Sequence, residues 1–484
     1  MRFNYKIIIN ILGLLVLLNG AFMFLCLPFS LYYGESSWKA ILLSGLITIG
    51  SGFILYFSTR KNSDRELHKK DGYLIVSLGW IFMSLFGTLP FLLSGAIPNF
   101  TDAFFETISG FTTTGASILN NIEGLPKGVL FWRSLTQWIG GMGIIVLAVA
   151  ILPLLGIGGM QLFVAEAPGI SPDKLKPRIK ETAKRLWLIY IGLTLAETIL
   201  LMITGMSFFD AINHGLTTMA TGGFSTHNSS VAEFNPFVQY IIIIFMFLAG
   251  TNFTLTYFGL KGRFEKMWGS EEFRAYVFIV LGFTVIVGAT LFFDGIYSPE
   301  GAFRNALFQV VSIVTTTGYV SADYASWTPF LTILIFMLMF IGGSSGSTAG
   351  GVKVVRLLIL MKNTILDLNR QLHPSAILPV RYNKKAVSME ITFNIVAFIM
   401  LYITIFVTGT IIMATMGIDF MTALGSVATT LGNIGPGIGT VGPTDTFAHL
   451  PAFGKWFLAF LMLLGRLELF TVLILFTRYY WRKY

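Results

Sequence analysis

Four stretches rich in threonine and glycine are the part of this sequence best suited to chemistry. They read Asp102-AFFETISGFTTTGAS-Ile118, Asp210-AINHGLTTMATGGFS-Thr226, Arg304-NALFQVVSIVTTTGYVS-Ala322 and Asp419-FMTALGSVATTLGNIG-Pro436. Aligning the Thr-Gly step brings Gly115, Gly222, Gly318 and Gly432 into one register, 107, 96 and 114 residues apart, so one unit occurs four times. Each extended stretch offers carbonyl oxygens that can replace the water shell of a dehydrated cation, and glycine supplies the main-chain angles that aim them. The amphipathic half-helix before it turns a partially negative C-terminal end toward the space beneath, which favours a cation there. Thr/Gly runs also serve close helix packing. Packing alone, however, has no use for an extended polar segment four times over.

Two further features bear on the same chemistry. The apolar run Pro329–Leu360 is interrupted by Gly342-GSSGSTAG-Gly351, a tract too rich in glycine to make a good helix. It reads either as a kink or as an unwound loop, and irregular backbone at membrane depth must line a cavity or be buried in protein. Arg466 stands inside an apolar helix, where arginine costs about 2.5–3.5 kcal/mol, so it should face a pore or a partner. A guanidinium about 6 Å from a permeating cation opposes it by about 3 kcal/mol at an effective dielectric of about 20. The alternative pairs Arg466 with Glu468 or Glu197. The tract also matches two serine-nucleophile patterns, Gly342-x-Ser344-x-Gly346 and Gly343-x-Ser345-Gly346. A nucleophilic serine needs a base, and none of His68, His214, His227, His373 and His449 falls in a transmembrane run at matching depth. No HExxH, cysteine pair or phosphate loop occurs, so no enzyme is expected.

The composition says what must hold these residues. With 54% hydrophobic and 12% charged residues among 484, the chain is neither an ordinary soluble protein nor disordered. Its lone Cys26 excludes an internal disulfide. Apolar runs of about 20 residues, enough to cross about 30 Å of hydrocarbon, number ten. They are Ile7–Leu27, Ala40–Phe57, Tyr73–Gly95, Val129–Leu155, Leu186–Met206, Phe237–Leu260, Tyr276–Phe293, Pro329–Leu360, Ile391–Met416 and Ala452–Thr477. Arg2 and Lys6 ahead of the first run also suit a cleaved leader, but the run exceeds a leader's core. With ten spans, 27 of the 33 Lys and Arg residues share the face of both termini, which the positive-inside rule makes cytoplasmic. The opposite face sums to −6 and concentrates cations. Asp102, Asp210 and Asp419 add to that field and suit helix caps, whereas the third unit has Arg304 there. The second span of each unit carries its own register, with Gly141, Gly250, Gly343 and Gly465 aligned. The expected division is an N-terminal hairpin and loop over 1–72 and repeats over 73–185, 186–275, 276–388 and 389–484. Every unit has two full spans, so all share one orientation, unlike inverted-repeat transporters.

At these residues the sequence resembles the Trk, Ktr and HKT superfamily of K⁺ transporters, in which four linked membrane-pore-membrane units build one pore. The resemblance covers Tyr73 to the C-terminus, about 85% of the chain. Two extra N-terminal spans make it most similar to the bacterial TrkH-type pore subunit. It implies an all-α membrane fold with four half-membrane pore helices. It also implies a filter of Thr113, Thr114, Gly115 and Ala116; Ala220, Thr221, Gly222 and Gly223; Thr316, Thr317, Gly318 and Tyr319; and Thr430, Leu431, Gly432 and Asn433. Plant relatives selective for Na⁺ carry serine for the first-unit glycine; glycine in all four units implies K⁺ and Rb⁺. The tract Gly342, Gly343, Ser344, Ser345, Gly346, Ser347, Thr348, Ala349, Gly350 and Gly351 takes the family's gating-loop position, and Arg466, one residue past the shared glycine and below the filter, is expected to face the pore as a barrier. No cofactor is implied beyond K⁺ as permeant ion. The implied partners are a second copy, a cytosolic TrkA-type ring binding NAD and ATP, and the lipid bilayer; nucleic acid is not among them. The implied place is the bacterial cytoplasmic membrane. Coupled symport with H⁺ or Na⁺ is the alternative within transport, although only Glu197 and Glu468 lie well inside spans.

Overall fold

The computed structural model describes residues 4–59, 69–151, 179–373, 376 and 378–482. Most of the basic segment Arg60–Lys70, the first five residues of Lys174–Arg185 and the end of the run Val129–Leu155 lie outside the described residues. The rest is an all-α membrane protein whose one strand pair, Arg381–Tyr382 with Lys385–Ala386, closes a tight turn on Asn383 and Lys384, both at positive φ.

An N-terminal hairpin of α1 (Tyr5–Met23) and α2 (Ser37–Thr59) comes first. Its helices cross closely because glycine faces backbone: a Cβ on Gly13 would lie 2.6 Å from the Tyr56 nitrogen, and one on Gly52 2.6 Å from that of Leu17. Four units follow, each a span, a half-length helix and a second span. The first spans are α3 (Lys69–Gly87), α6 (Ile179–Ile203), α10 (Glu271–Phe293) and α14 (Met389–Thr415). The half-helices are α4 (Phe100–Phe111), α7 (Phe208–Met219), α11 (Pro299–Val314) and α15 (Phe420–Gly432). The second spans are α5 (Lys127–Ile151), α8 with α9 (Pro236–Ala249 and Phe253–Leu260), α12 with α13 (Pro329–Leu338 and Val354–Leu372) and α16 with α17 (Ala452–Arg466 and Leu469–Leu473).

All four second spans are broken, whereas the sequence marks only the third. Gly143 leaves the helical angles inside α5 at φ 61° and ψ 176°. The α8–α9 pair bends by 114°, the α16 pair by 116°, and residues 342–351 separate α12 from α13. Among the described residues six helices are therefore long and apolar enough to cross a membrane, or eight with the bent pairs. Their outward faces stay apolar and exposed, as with Phe278, Leu281 and Val285 on α10 and Met400, Ile403, Val407 and Ile411 on α14. A surface of that kind suits hydrocarbon, not water.

The packing is cyclic. Each half-helix lies between the two spans of its own unit, and α5, α8 and α16 also pack on the half-helix of the next unit: α7, α11 and, closing the circle, α4.

Each half-helix begins on a side-chain cap. Asn99, Ser207, Ser298 and Asp419 accept from the first free backbone N–H groups. Only Asp419 among the three aspartates is a cap. Asp102 instead accepts from Lys455 Nζ at 2.6 Å, and Asp210 takes the Ser207 and Thr226 hydroxyls at 2.7 Å each. Arg304 is held by Glu300 one turn before it.

Candidate functional site

The half-helices stop in one way. Thr113, Thr221, Thr316 and Asn433 follow their last turns at φ 52°, 53°, 55° and 54°. Each donates its N–H to the carbonyl three residues back, and the next residue donates to the carbonyl five back. The latter bonds are Thr114 to Ser109, Gly222 to Thr217, Thr317 to Ser312 and Ile434 to Thr429, at 2.8–2.9 Å. This is a Schellman ending. Its left-handed position usually holds glycine or asparagine; a β-branched threonine there is strained by about 1–3 kcal/mol.

Two residues on, the chain turns again at Gly115, Gly223, Gly318 and Gly435, all at positive φ. A Cβ on Gly115 would fall 2.2 Å from the Gly222 carbonyl oxygen, one on Gly223 2.0 Å from that of Thr317, and one on Gly318 1.8 Å from that of Ile434. A Cβ on Gly435 would fall 2.9 Å from the oxygen of Thr114. Each glycine lies against a carbonyl of the next unit, so the four stretches form a closed ring. No other residue fits these positions, by φ and by space.

This geometry corrects the register read from the sequence. Gly115 and Gly318 are equivalent as expected, but their counterparts are Gly223 rather than Gly222, and Gly435 rather than Gly432. Ala220, Thr430, Leu431 and Gly432 belong to the last turns of α7 and α15 or their cap. Residue type misleads in unit 4, which reads Asn433-Ile434-Gly435 without a threonine at the turn while a decoy Thr-Thr-Leu-Gly lies inside the helix. Asparagine's tolerance of the left-handed region was the available signal.

Buried side chains brace the ring. Gln137 on α5 donates to the Gly222 carbonyl at 2.6 Å and accepts from the Phe224 N–H at 3.1 Å. Arg133 pairs with Glu106 at 2.7 Å, both almost fully buried, and donates to the Ser225 carbonyl, so unit 1 grips the chain beyond the unit 2 turn. Removing one partner of such a pair strands a buried charge. The Tyr319 hydroxyl meets those of Thr217 and Thr218, tying the third stretch to the second half-helix. Asn433 donates to Thr114 Oγ1 at 2.9 Å. Nothing in the sequence marks Glu106 and Arg133 as a pair.

Beneath the ring, residues 342–351 form an irregular loop. Ser345 donates its N–H and hydroxyl to Glu272 at 2.6 and 2.8 Å, and its carbonyl accepts from Asn252. The Thr348 hydroxyl reaches the Met219 carbonyl at 3.0 Å, and the Gly350 N–H reaches Thr316 Oγ1 at 2.6 Å. The loop is thus attached directly to the underside of the ring. Arg466 lies against it, donating to the Thr348 carbonyl at 2.7 Å and to those of Gly140 and Gly141 at 2.6 and 3.0 Å. Neither carboxylate considered from sequence is among these partners: Glu468 pairs with Arg356, and Glu197 is fully buried on α6.

On the outer side of the second stretch, half-buried His227 stands between Asp210 at 3.6 Å and Glu123 at 3.7 Å. The Asp210 carboxylate beside it raises its pKa; burial opposes this, and the charges of Glu123 and Glu233 add to the rise. His214, by contrast, is fully buried, with its ring on the Asp210 carbonyl and the Ser225 hydroxyl.

Known proteins share this architecture. The family model TrkH, described as a cation transport protein, matches residues 37–483, so the likeness extends beyond the Tyr73 start read from sequence. The chain is 43% identical to the Trk system potassium uptake protein TrkH of Salmonella typhimurium, with 99% of this chain and 100% of that protein aligned. Against TrkG of Escherichia coli K12 the identity is 35%, with 99% of each chain aligned. The crystal structure of the potassium transporter TrkH from Vibrio parahaemolyticus superposes with a TM-score of 0.89 at 39% identity, covering 99% of this chain and 100% of that one.

Two outcomes follow from the geometry. Gly435→Ala lowers Rb⁺ uptake by reconstituted protein at least about tenfold, since the substitution adds both backbone strain and a clash with a neighbouring carbonyl. Gly432→Ala is milder, because its Cβ at 2.9 Å from Ile434 Cδ1 meets a side chain that can move. For His227, a raised folded pKa means that its stabilisation is complete below about pH 6.5 and is lost as pH rises through the folded value. Melting of the detergent-solubilised protein therefore falls across that upper window, and His227→Gln removes the step.

Proposed function

On the premise that this chain belongs to the TrkH family of cation transport proteins, we propose that it takes up K⁺ through the ring of main-chain carbonyls. The closed contact of each ring glycine with the next unit's carbonyl is the observation that carries the reading. The filter comprises Thr113–Ala116, Thr221–Phe224, Thr316–Tyr319 and Asn433–Pro436. Carbonyls of four stretches, held by buried braces, replace the water of a K⁺ ion, and Rb⁺, of similar size, follows the same path. The negative ends of four half-helices favour the dehydrated ion below. The repeats run over 73–185, 186–275, 276–388 and 389–484, after an N-terminal unit over 1–72.

The loop Gly342–Gly351 with Arg466 forms the gate. Its support is the strap from Arg466 to Thr348 and the Gly350 bond to Thr316, which join barrier, loop and ring. Gated diffusion is favoured over symport because the carboxylates Glu468, Glu106 and Glu272 are committed to Arg356, Arg133 and the loop residue Ser345 rather than arranged as a chain for a coupling ion. A transport family favours permeation over catalysis, and Ser345 in the serine tract donates its hydroxyl to Glu272 as part of the loop's attachment. The protein acts as a multi-pass component of the bacterial cytoplasmic membrane with both termini cytoplasmic. It forms a homodimer, and a TrkA-type nucleotide-binding ring docks on its basic face.

Arg466→Ala raises Rb⁺ flux into vesicles by several-fold to about a hundredfold, the range set by a guanidinium near the ion path. Deleting Ser344–Thr348 leaves the pore less closed. Unchanged flux in both variants contradicts the gate, and preference for Na⁺ contradicts the filter.

A further inference from the structure

The surroundings of Arg466 have the makings of a binding site in their own right. Three carbonyl oxygens converge on one guanidinium: Thr348 at 2.7 Å on Nη1, and Gly140 and Gly141 at 2.6 and 3.0 Å on Nη2. They come from the loop of unit 3 and the second span of unit 1, while the arginine comes from unit 4. Gly140 and Gly141 lie just before the break at Gly143, so their carbonyls are helix-terminal acceptors that the regular ladder no longer serves. Thr348 is held by its hydroxyl on the Met219 and Ala249 carbonyls, which fixes its own carbonyl toward the arginine. The Trp80 ring lies 6.0 Å from the guanidinium carbon and closes one side with an aromatic face. Oxygen acceptors with an adjoining indole form a chemistry selective for a flat monovalent cation with N–H donors.

We propose that this cage is a guanidinium-binding site that the chain fills with its own arginine. The proposal rests on the gate reading above and deepens it: Arg466 is a tethered ligand that ties the loop, through Thr348, to the second span of unit 1, and withdrawing it breaks all three bonds together. With the side chain removed, the cage accepts a free guanidinium ion, which restores the barrier without a covalent link. K⁺, lacking hydrogen-bond donors, is the weaker occupant.

The test uses full-length Arg466→Ala and Arg466→Gln in vesicles, with guanidinium chloride and neutral, isosteric urea at equal millimolar concentration. Guanidinium slows Rb⁺ flux through both variants by about tenfold, the effect of one or two charge-assisted hydrogen bonds, and raises their Tm by a few degrees. Wild type, its cage occupied, responds to neither compound, and urea leaves the variants unchanged. Equal responses of variants and wild type, or equal effects of guanidinium and urea, overturn the cage. Variants with raised flux that ignore guanidinium leave the gate standing and refute the site. Variants without raised flux refute the gate, and their Tm in guanidinium still decides the cage. Should one variant fail to fold, the other carries both readouts.

Discussion

Four helices that end inside the membrane on a left-handed residue are the constraint on which the rest of this structure depends. A chain reversing there leaves carbonyls and N–H groups where no water can satisfy them. The Schellman bonds serve part of that need, and the extended residues beyond must find partners among themselves. Placing threonine at three of the four reversals costs about 1–3 kcal/mol each. Local bonds offset it: Thr112 with Thr114 at 2.8 Å, Thr315 with Thr317 at 2.7 Å, and Gly350 with Thr316 at 2.6 Å.

From that constraint the ring follows. A backbone turned twice within three residues presents its carbonyl to the neighbouring unit's glycine, and four such contacts close on themselves. The equivalence is in the main chain alone. The braces differ from stretch to stretch: Gln137 and the Arg133–Glu106 pair hold the second, Tyr319 ties in the third, and Asn433 anchors the fourth and joins it to Thr114 of the first. The breaks in the second spans answer the same geometry. Close approach of Gly141 to Ala220 and of Gly250 to Thr315 brings the broken helix under the neighbouring reversal. There its freed carbonyls are available to Arg466 and to the loop.

Much of this was legible in the sequence because it rests on periodicity. Four amphipathic half-helices, paired spans and Thr/Gly stretches follow from residue pattern, as does the break at Gly342–Gly351, where glycines cluster. What failed was register. Thr-Thr-Leu-Gly in unit 4 matched the repeat by residue type, yet its threonines sit inside α15, and Asn433 makes the turn. The breaks at Gly143 and Glu468 escaped because one glycine, or one residue at φ 65°, hardly alters local hydropathy. Glu106 with Arg133, 27 positions apart, is a tertiary pair that no local pattern reports. Arg466, alone among apolar neighbours, was conspicuous, but its carbonyl partners lie more than a hundred positions away.

The proposed filter holds a cation by main-chain carbonyls, one from each of its four stretches. Crystals grown in Rb⁺ and measured at its absorption edge test it most directly. Anomalous density on the axis of these four carbonyls is the predicted result. Density confined to positions beside Leu431 and Gly432, or none within the ring at saturating Rb⁺, contradicts it.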